Sequence, residues 1–257
     1  MSLVKIWIAY QTLVRKELIR IFRIWSQTLL PPAITMTLYF LIFGQLIGSQ
    51  LRDIDGFSYI QYIVPGLIMM SVITNSYIHT SSAFFSIKFQ RSIEELLVSP
   101  MPNIIILLGF ISGALIRSLI VAFIVTCIAL LFTHLTLHHW FLMLLIIVST
   151  SVFFATLGLI NGIFAKTFDD ISWVPTFLIT PLTYLGGVFF SINMLPGFWQ
   201  KIAYFNPVLY IIDIFRYSVL GIISINVEGA LSALLIIMII AFYYALRLIR
   251  MSPRLRN

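Results

Sequence analysis

The chain alternates between long apolar runs and short polar connections. The six apolar runs cover residues 27–47, 59–84, 104–132, 140–165, 171–190 and 229–248. A helix needs about 20 predominantly apolar residues to cross the ~30 Å hydrocarbon core of a bilayer, and each run is that long. The pattern therefore predicts an all-α membrane protein with six transmembrane helices, built as a single domain over residues 1–257.

Residues 3–25 precede the first run and show a different pattern. Apolar and aromatic residues such as Trp7 recur every three or four positions, and Lys16 and Arg20 are among the residues on the other side. This periodicity predicts an amphipathic helix in the membrane interface, with its basic side towards anionic lipid head groups. Pro31–Pro32 predict a corner between this helix and the first span, because a helix tolerates proline best at its start.

The connection at residues 86–103 is the one long charged segment between apolar runs. Its side chains alternate at helical spacing: Phe89, Arg91, Ile93, Glu94, Glu95 and Leu96. Phe89 and Leu96 are seven residues apart, which predicts one shared helix face. Pro100, followed by Met101, ends the helix because proline lacks the required N–H. The pattern fits either a docking surface for a cytoplasmic partner or an interfacial loop helix without one.

The segment at residues 191–228 is long but rich in aromatic and aliphatic residues. Its turn residues predict two short helices, at 198–204 and 208–220, between spans five and six. Backbone that is not a full span is tolerated at membrane depth only against protein or water, so we expect these re-entrant helices to cap the protein from outside. Asp213 and Arg216 are spaced for an ion pair within the second helix.

Composition and charge support this picture. The chain is 60% hydrophobic and only 10% charged, which is too little charge for a soluble domain. The net charge is +7, but the charged residues flank the apolar runs and do not cluster on a soluble domain, so we expect no nucleic-acid partner. With the N-terminus inside, the inner segments hold twelve Lys and Arg residues and the outer segments hold three, namely Arg52, Lys201 and Arg216. This bias predicts that both termini are cytoplasmic.

Motifs of hydrolytic and metal chemistry are missing from the sequence. No G-x-x-x-x-G-K-[ST], H-E-x-x-H, G-x-S-x-G or C-x-x-C pattern occurs, so we expect no enzyme activity and no cofactor in this chain. His134, His138 and His139 cluster in one outer loop. They fit interfacial polar residues, with a metal site as the open alternative.

Arg117 is the one strongly basic residue well inside an apolar run. A charge at that depth is costly, which favours a functional or paired residue over an exposed one. Snorkelling of its long stem, structural pairing and substrate contact are the three alternatives. The candidates for a translocation path are Arg117 with several aromatic and polar span residues, namely Tyr39, Phe43, Tyr62, Asn75, Phe177 and Tyr184.

The order of these elements, together with several stretches of sequence, resembles the permeases of ATP-binding-cassette (ABC) type-2 exporters. The stretches are RIWSQTLLPPAITMTLYF, VPGLIMMSVITN, KFQRSIEELLVSP, FAKTFDDIS, VPTFLITPLTYLGGVFFS and FNPV. They are most similar to the Yad-type inner-membrane transport permeases of Gram-negative bacteria.

The resemblance implies a dimer of permeases in the bacterial inner membrane, with two separate ABC ATPase subunits that bind ATP and Mg. It implies that residues 89–101 form a coupling helix seated in the ATPase. The loop with Lys166, Asp169 and Asp170 would lie on the same side. Related permeases export glycans, lipid-linked molecules or drugs, so the substrate class stays broad and amphipathic. A membrane-embedded lipid-modifying enzyme and a secondary transporter are the alternatives. The sequence lacks the cluster of His, Asp and Glu residues within the spans that the enzyme would need, and it lacks the paired repeats and intramembrane acidic residues that are usual in a secondary transporter.

Overall fold

The computed structural model describes residues 3–51, 53–54, 56–222 and 226–251. Arg52, Arg254 and Arg256, which contribute to the charge bias, and residues 223–225 of the outer segment lie outside the described residues. Within the described ranges the chain is helical and forms no strand, apart from an isolated bridge between Ile54 and Phe57. The all-α class predicted from the sequence is therefore confirmed.

The helices follow one another with short connections. In chain order they are α1 (Leu3–Arg23), α2 (Trp25–Thr28), α3 (Leu30–Tyr39), α4 (Tyr59–Phe89), α5 (Ile93–Val98), α6 (Asn103–Phe132), α7 (Trp140–Phe164), α8 (Phe168–Val174), α9 (Thr180–Leu185), α10 (Gly197–Tyr204), α11 (Pro207–Leu220) and α12 (Val227–Met251). Two π-helical segments extend this set, Phe40–Ile47 after α3 and Pro175–Ile179 between α8 and α9. Short 3₁₀ turns occupy Gly48–Gln50 and Ile192–Met194.

Four of the helical stretches are long and apolar enough to cross a membrane. They are Trp25–Ile47, Asn103–Phe132, Trp140–Phe164 and Val227–Met251. Each matches a predicted span to within a few residues, which confirms those four runs. The predicted corner also lies where expected, since the helix breaks at Ile24 and Leu29, and Pro31–Pro32 fall in the first turn of α3.

Helix α4 corresponds to the predicted second span, but it is longer and more polar than the four helices above. It runs for 31 residues to Phe89 and is buried along most of its length. Its hydroxyl groups bond within the helix: Ser71 donates to the carbonyl of Leu67 at 3.0 Å, and Ser76 donates to that of Val72 at 2.6 Å. Internal pairing of this kind lets a polar helix occupy a centre with little water.

The predicted fifth span, residues 171–190, ends too late. Continuous helix covers residues 168–185, as α8, the π-helical segment and α9. A turn at Gly186–Gly187 then stops it, with Gly187 at φ +77°. That backbone conformation is readily available to glycine and costly for other residues. The two short helices predicted at 198–204 and 208–220 are present as α10 and α11, each within one residue of its predicted bounds.

Close packing against α7 places α4 at the centre of the molecule. Gly158 and Gly162 of α7 lie against the backbone of α4. A Cβ atom on Gly158 would overlap the carbonyl oxygen of Tyr77, and one on Gly162 would lie 3.0 Å from that of Ser81. This small-xxx-small pair lets the two backbones approach, as is common between membrane helices.

We expect Gly158→Ala to destabilise the protein because the new methyl group forces α7 away from α4. Overpacking of this type costs about 1–3 kcal/mol. The measurement is the thermal midpoint of unfolding of the detergent-purified protein. Gly197→Ala is the matched control, since no atom lies within 4 Å of the position that its Cβ would take. Equal midpoints for both variants would contradict this account of the α4–α7 contact.

Candidate functional site

The segment at residues 86–103 is not one helix. Helix α4 ends at Phe89, a turn follows, and α5 begins at Ile93. Arg91 sits in the turn with φ +61°, a left-handed conformation that ends a regular helix. The prediction that Phe89 and Leu96 share a helix face is therefore wrong. The side chain of Ile93 is buried instead, at 3% exposure, while that of Phe89 is 64% exposed.

The other predicted residues of this segment divide between core and solvent. Leu96 and Met101 pack against the buried cluster that contains Ile93. Glu94 and Glu95 lie exposed in the first turn of α5, and Pro100 is exposed just before α6. Helix α5 is thus anchored through its apolar side, and its carboxylates face outwards.

Three phenylalanine rings, which we call the aromatic triad, join the end of α4 to the start of α8. Phe85 lies 5.9 Å from Phe89 and 4.9 Å from Phe168, and Phe89 lies 5.3 Å from Phe168, measured between ring centroids. Phe85 is buried, whereas Phe89 and Phe168 are 64% and 54% exposed. The two exposed rings therefore present an apolar surface where α4 ends and α8 begins.

Lys88 also joins the end of α4 to the start of the loop that precedes α8. Its Nζ donates to the carbonyls of Ile163 and Ala165, both at 2.7 Å, at the C-terminal end of α7. A cation at that position also interacts favourably with the helix dipole. A groove of about 440 Å³ lies between the two loops and is lined by Phe85, Lys88, Phe89, Arg91, Phe164, Ala165 and Lys166.

Asp170 organises the loop that the sequence singled out. Its Oδ2 accepts the backbone N–H groups of Lys166 at 2.8 Å and Thr167 at 3.1 Å, and Thr167 Oγ1 accepts the N–H of Asp170. These backbone hydrogen bonds hold the pKa of Asp170 below its ordinary value. Asp170 therefore shapes the loop, while Lys166 and Asp169 stay exposed beside Phe168.

The residues proposed for a translocation path do not form one surface. Three of them gather around Phe189: the hydroxyls of Tyr39 and Tyr184 are 3.4 Å apart, and Phe43 lies 4.9 Å from the Phe189 ring. Phe177 is exposed elsewhere, next to Trp173.

Tyr62 is buried beneath Arg216. The guanidinium of Arg216 lies 4.0 Å from the centre of the Tyr62 ring and donates to the carbonyl of Gly187 at 2.6 Å. Arg216 Nη1 is also 3.6 Å from Asp213 Oδ1, so the predicted ion pair is present. The contacts hold α11 against α4 and against the turn that ends α9.

Arg117 turns into the protein. Its Nη2 donates to Asn75 Oδ1 of α4 at 3.0 Å and to the carbonyl of Thr28, the last residue of α2, at 3.3 Å. This geometry favours structural pairing among the alternatives that the sequence left open. Arg117 ties α6 to the central helix and to the corner that precedes the first predicted span.

A buried charge cluster, which the sequence pattern did not reveal, lies nearby. Glu17 of α1 is 3% exposed; its Oε2 lies 2.7 Å from Arg20 Nη2 and 3.2 Å from Nε2 of His79 in α4. Gly113 of α6 makes room, since a Cβ there would approach Glu17 Cβ to 2.7 Å and His79 Nε2 to 3.1 Å. The three residues Glu17, Arg20 and His79 thus connect α1 to α4 across α6.

Opposing effects act on the ionisation of Glu17. Burial raises its pKa, but hydrogen bonding with His79 and the charge of Arg20 lower it further, so that the pKa lies below its ordinary value. The carboxylate form is therefore the stabilised one.

The described part of the chain brings no three His, Cys, Asp or Glu side chains together as a metal site. The rings of His138 and His139 contact each other and the ring of Tyr217.

We expect Glu17→Gln to lower the free energy of unfolding by about 1–3 kcal/mol, because hydrogen bonds to charged groups contribute that much and Arg20 loses its carboxylate. The folded pKa of Glu17 is depressed, so its contribution is complete above the unfolded value of about 4.3 and is lost as the pH falls through the folded value. The measurement is the thermal midpoint in detergent from neutral pH down to about one unit below the unfolded value of about 4.3, where the difference between the variant and the parent should shrink.

Asp53→Asn serves as the control, since Asp53 is an exposed carboxylate. It should leave the thermal midpoint near that of the parent. A Glu17→Gln protein that unfolds like the parent at pH 7 would show that the buried cluster does not hold α1 in place.

Comparison with known proteins agrees with these features. Residues 8–220 match the family described as ABC-2 type transporter. The chain is 54% identical to the inner membrane transport permease YadH of Escherichia coli (strain K12) over 92% of each protein. It is 28% identical to nodulation protein J of Rhizobium leguminosarum bv. viciae over 83% of each protein. The match spans most of the sequence and includes most of α1, the aromatic triad and α11, and the chain belongs to the ABC-2 type transporter family.

Proposed function

We propose that this chain is the permease subunit of an ATP-driven exporter, and that ATP and Mg bind to two separate ATPase subunits. Membership of the ABC-2 type transporter family and the relative named as a transport permease support the transport role. The sequence contains no phosphate-binding loop, which favours ATP hydrolysis in another chain.

The aromatic triad carries the proposal for where the ATPase binds. Phe89 and Phe168 are more than half exposed at the end of α4 and the start of α8, where each has charged neighbours. Exposed aromatic residues ringed by polar ones are typical of protein interfaces, where a few such anchors supply most of the binding energy. Lys88 and Phe85 hold both loops together, so the two exposed rings act as one rigid surface.

Helix α5 completes this proposed docking surface. Arg91, Glu94 and Glu95 are exposed and available for charge pairs with the partner. Ile93 and Met101 pack into the inner core. A push on α5 is therefore transmitted to the start of α6 through packed side chains, which is what coupling to ATP hydrolysis requires.

We assign both termini and the aromatic triad to the cytoplasm. The bias of basic residues supports this orientation. In this arrangement α4 and the α8–α9 stretch are the second and fifth of six spans, α1 lies in the inner interface, and α10 and α11 form re-entrant helices on the outer side. The buried ion pair of Asp213 and Arg216 supports a protein-packed position for α11.

The proposed substrate is amphipathic: a lipid-linked molecule, a glycan or a drug-like compound. The rings of Tyr39, Phe43 and Tyr184 form a partly exposed aromatic group with hydroxyls that can face such a molecule. We further propose that a second copy of the permease packs nearby. Exposed apolar side chains on α3 and on the Pro175–Ile179 segment, such as Leu38 and Phe177, support a contact surface there.

We expect Phe89→Ala and Phe168→Ala each to weaken binding of the ATPase. Truncation of an interface anchor costs about 2 kcal/mol, which corresponds to about a 30-fold loss of affinity. The measurement is the amount of ATPase that co-purifies with the tagged permease from detergent-solubilised membranes, together with ATP turnover per permease.

Phe198→Ala is the matched control, because Phe198 is a phenylalanine of similar exposure, at 70%, on the side assigned to the exterior. It should retain the partner. If both triad variants retained as much ATPase as the parent, the docking assignment would be lost. Lys88 is unsuitable as a control for a peripheral charge, because its ammonium supports the loop.

A further inference from the structure

A basic groove runs along the exposed side of α1. It has a volume of about 460 Å³ and is lined by Thr12, Arg15, Lys16, Ile19, Arg20 and Arg23. These positions recur every three or four residues, so they share one side of the helix. Four of the six lining residues are cationic, which is the highest concentration of positive charge among the described helices.

The charges at the two ends of this groove are not neutralised within the described residues. Arg15 and Arg23 are exposed and have no hydrogen bond or ion pair with another described residue. Lys16 interacts with Glu17 only through longer-range attraction. Arg20 alone is paired, through its contact with buried Glu17. An anion in the groove would therefore meet positive charges that no described residue neutralises.

Apolar residues on the same helix indicate where this anion comes from. Ile19 is 52% exposed in the groove itself, Trp7 and Phe22 of α1 are more than half exposed outside the groove, and Trp25, which begins α2, is also more than half exposed. Exposed tryptophan beside arginine is characteristic of the head-group region of a bilayer. An acidic protein or a nucleic acid would leave these apolar surfaces in water.

We propose that the groove binds the phosphodiester head group of an anionic phospholipid. Arg15 and Arg23 start about 12 Å apart along the helix axis, so their long side chains can close from both ends over a head group seated above Ile19. The guanidinium groups donate paired hydrogen bonds to the phosphate oxygens. The acyl chains follow the exposed aromatic side of α1 into the bilayer.

Arg20 connects this site to the interior. One side of its guanidinium contacts Glu17, while its position in the groove wall faces the head group. A bound phosphate adds a second anionic partner to the residue that holds α1 against α4. Lipid binding should therefore stabilise the folded permease, and it does so without any ATPase.

The test measures thermal stabilisation of the detergent-purified permease during titration with phosphatidylglycerol, phosphatidylcholine or inorganic phosphate. Phosphatidylglycerol should stabilise the parent, whereas the other two should have little effect. In Arg15→Gln/Arg23→Gln, apparent affinity should fall about 25-fold, since each basic residue near an anionic surface contributes about a five-fold factor.

Two further variants separate loss of the site from loss of charge or fold. Lys5→Gln/Lys201→Gln removes the same charge from exposed positions outside the groove and should retain the response. Arg15→Lys/Arg23→Lys should retain most of it. If the glutamine variant misfolds, high salt should abolish the phosphatidylglycerol response of the parent.

Three results would overturn the proposal: equal stabilisation by phosphatidylcholine, an equal effect of inorganic phosphate, or an undiminished response of the folded glutamine variant. A salt-insensitive response of the parent would also overturn it. None of these outcomes depends on the ATPase, so the proposed export function is tested separately.

Discussion

The burial of Glu17 is the constraint on which the packing of α1 against α4 and α6 depends. A carboxylate away from water is costly unless it is paired, and here Arg20 and His79 lie within 2.7 Å and 3.2 Å of it. Only a glycine at position 113 leaves space for this arrangement. The same surface of α6 receives Leu13 at Gly109 and the hydroxyl of Tyr10 at Ser112, 2.7 Å away. Helix α1 is thus fixed in position and not merely adsorbed to the membrane.

The sequence predicted most of the helical architecture, because apolar runs and proline positions are local signals. The bounds of four candidate spans, the corner before α3 and the short helices α10 and α11 follow from them. The burial of Glu17 was not predicted. Glu17 is four residues from both Leu13 and Ile21, so the three share one side of α1, but a carboxylate is ordinarily exposed and the sequence cannot show that α6 and His79 cover it. The break at Arg91 was also missed, because the left-handed backbone there belongs to a residue other than glycine.

The candidate site was predicted only in part, for a related reason. Segment 86–103 and the loop around Lys166 were identified separately, but the contact that unites them joins Phe89 to Phe168, which lie far apart in sequence. Lysine is usually a surface residue, so the sequence did not show that Lys88 bonds to the end of α7. The proposed path residues were selected by type, and type alone could not show that Asn75 and Arg117 bond to each other.

The account rests on the orientation of the aromatic triad towards the cytoplasm. This is tested most directly by labelling single cysteines with a membrane-impermeant maleimide in a Cys127→Ser background. The cysteines are placed at exposed Asp169, next to Phe168, and at exposed Lys201 in α10. The account predicts that Lys201→Cys is labelled from the periplasmic side of intact spheroplasts and that Asp169→Cys is labelled only after permeabilisation. Labelling of Asp169→Cys in intact spheroplasts would contradict it.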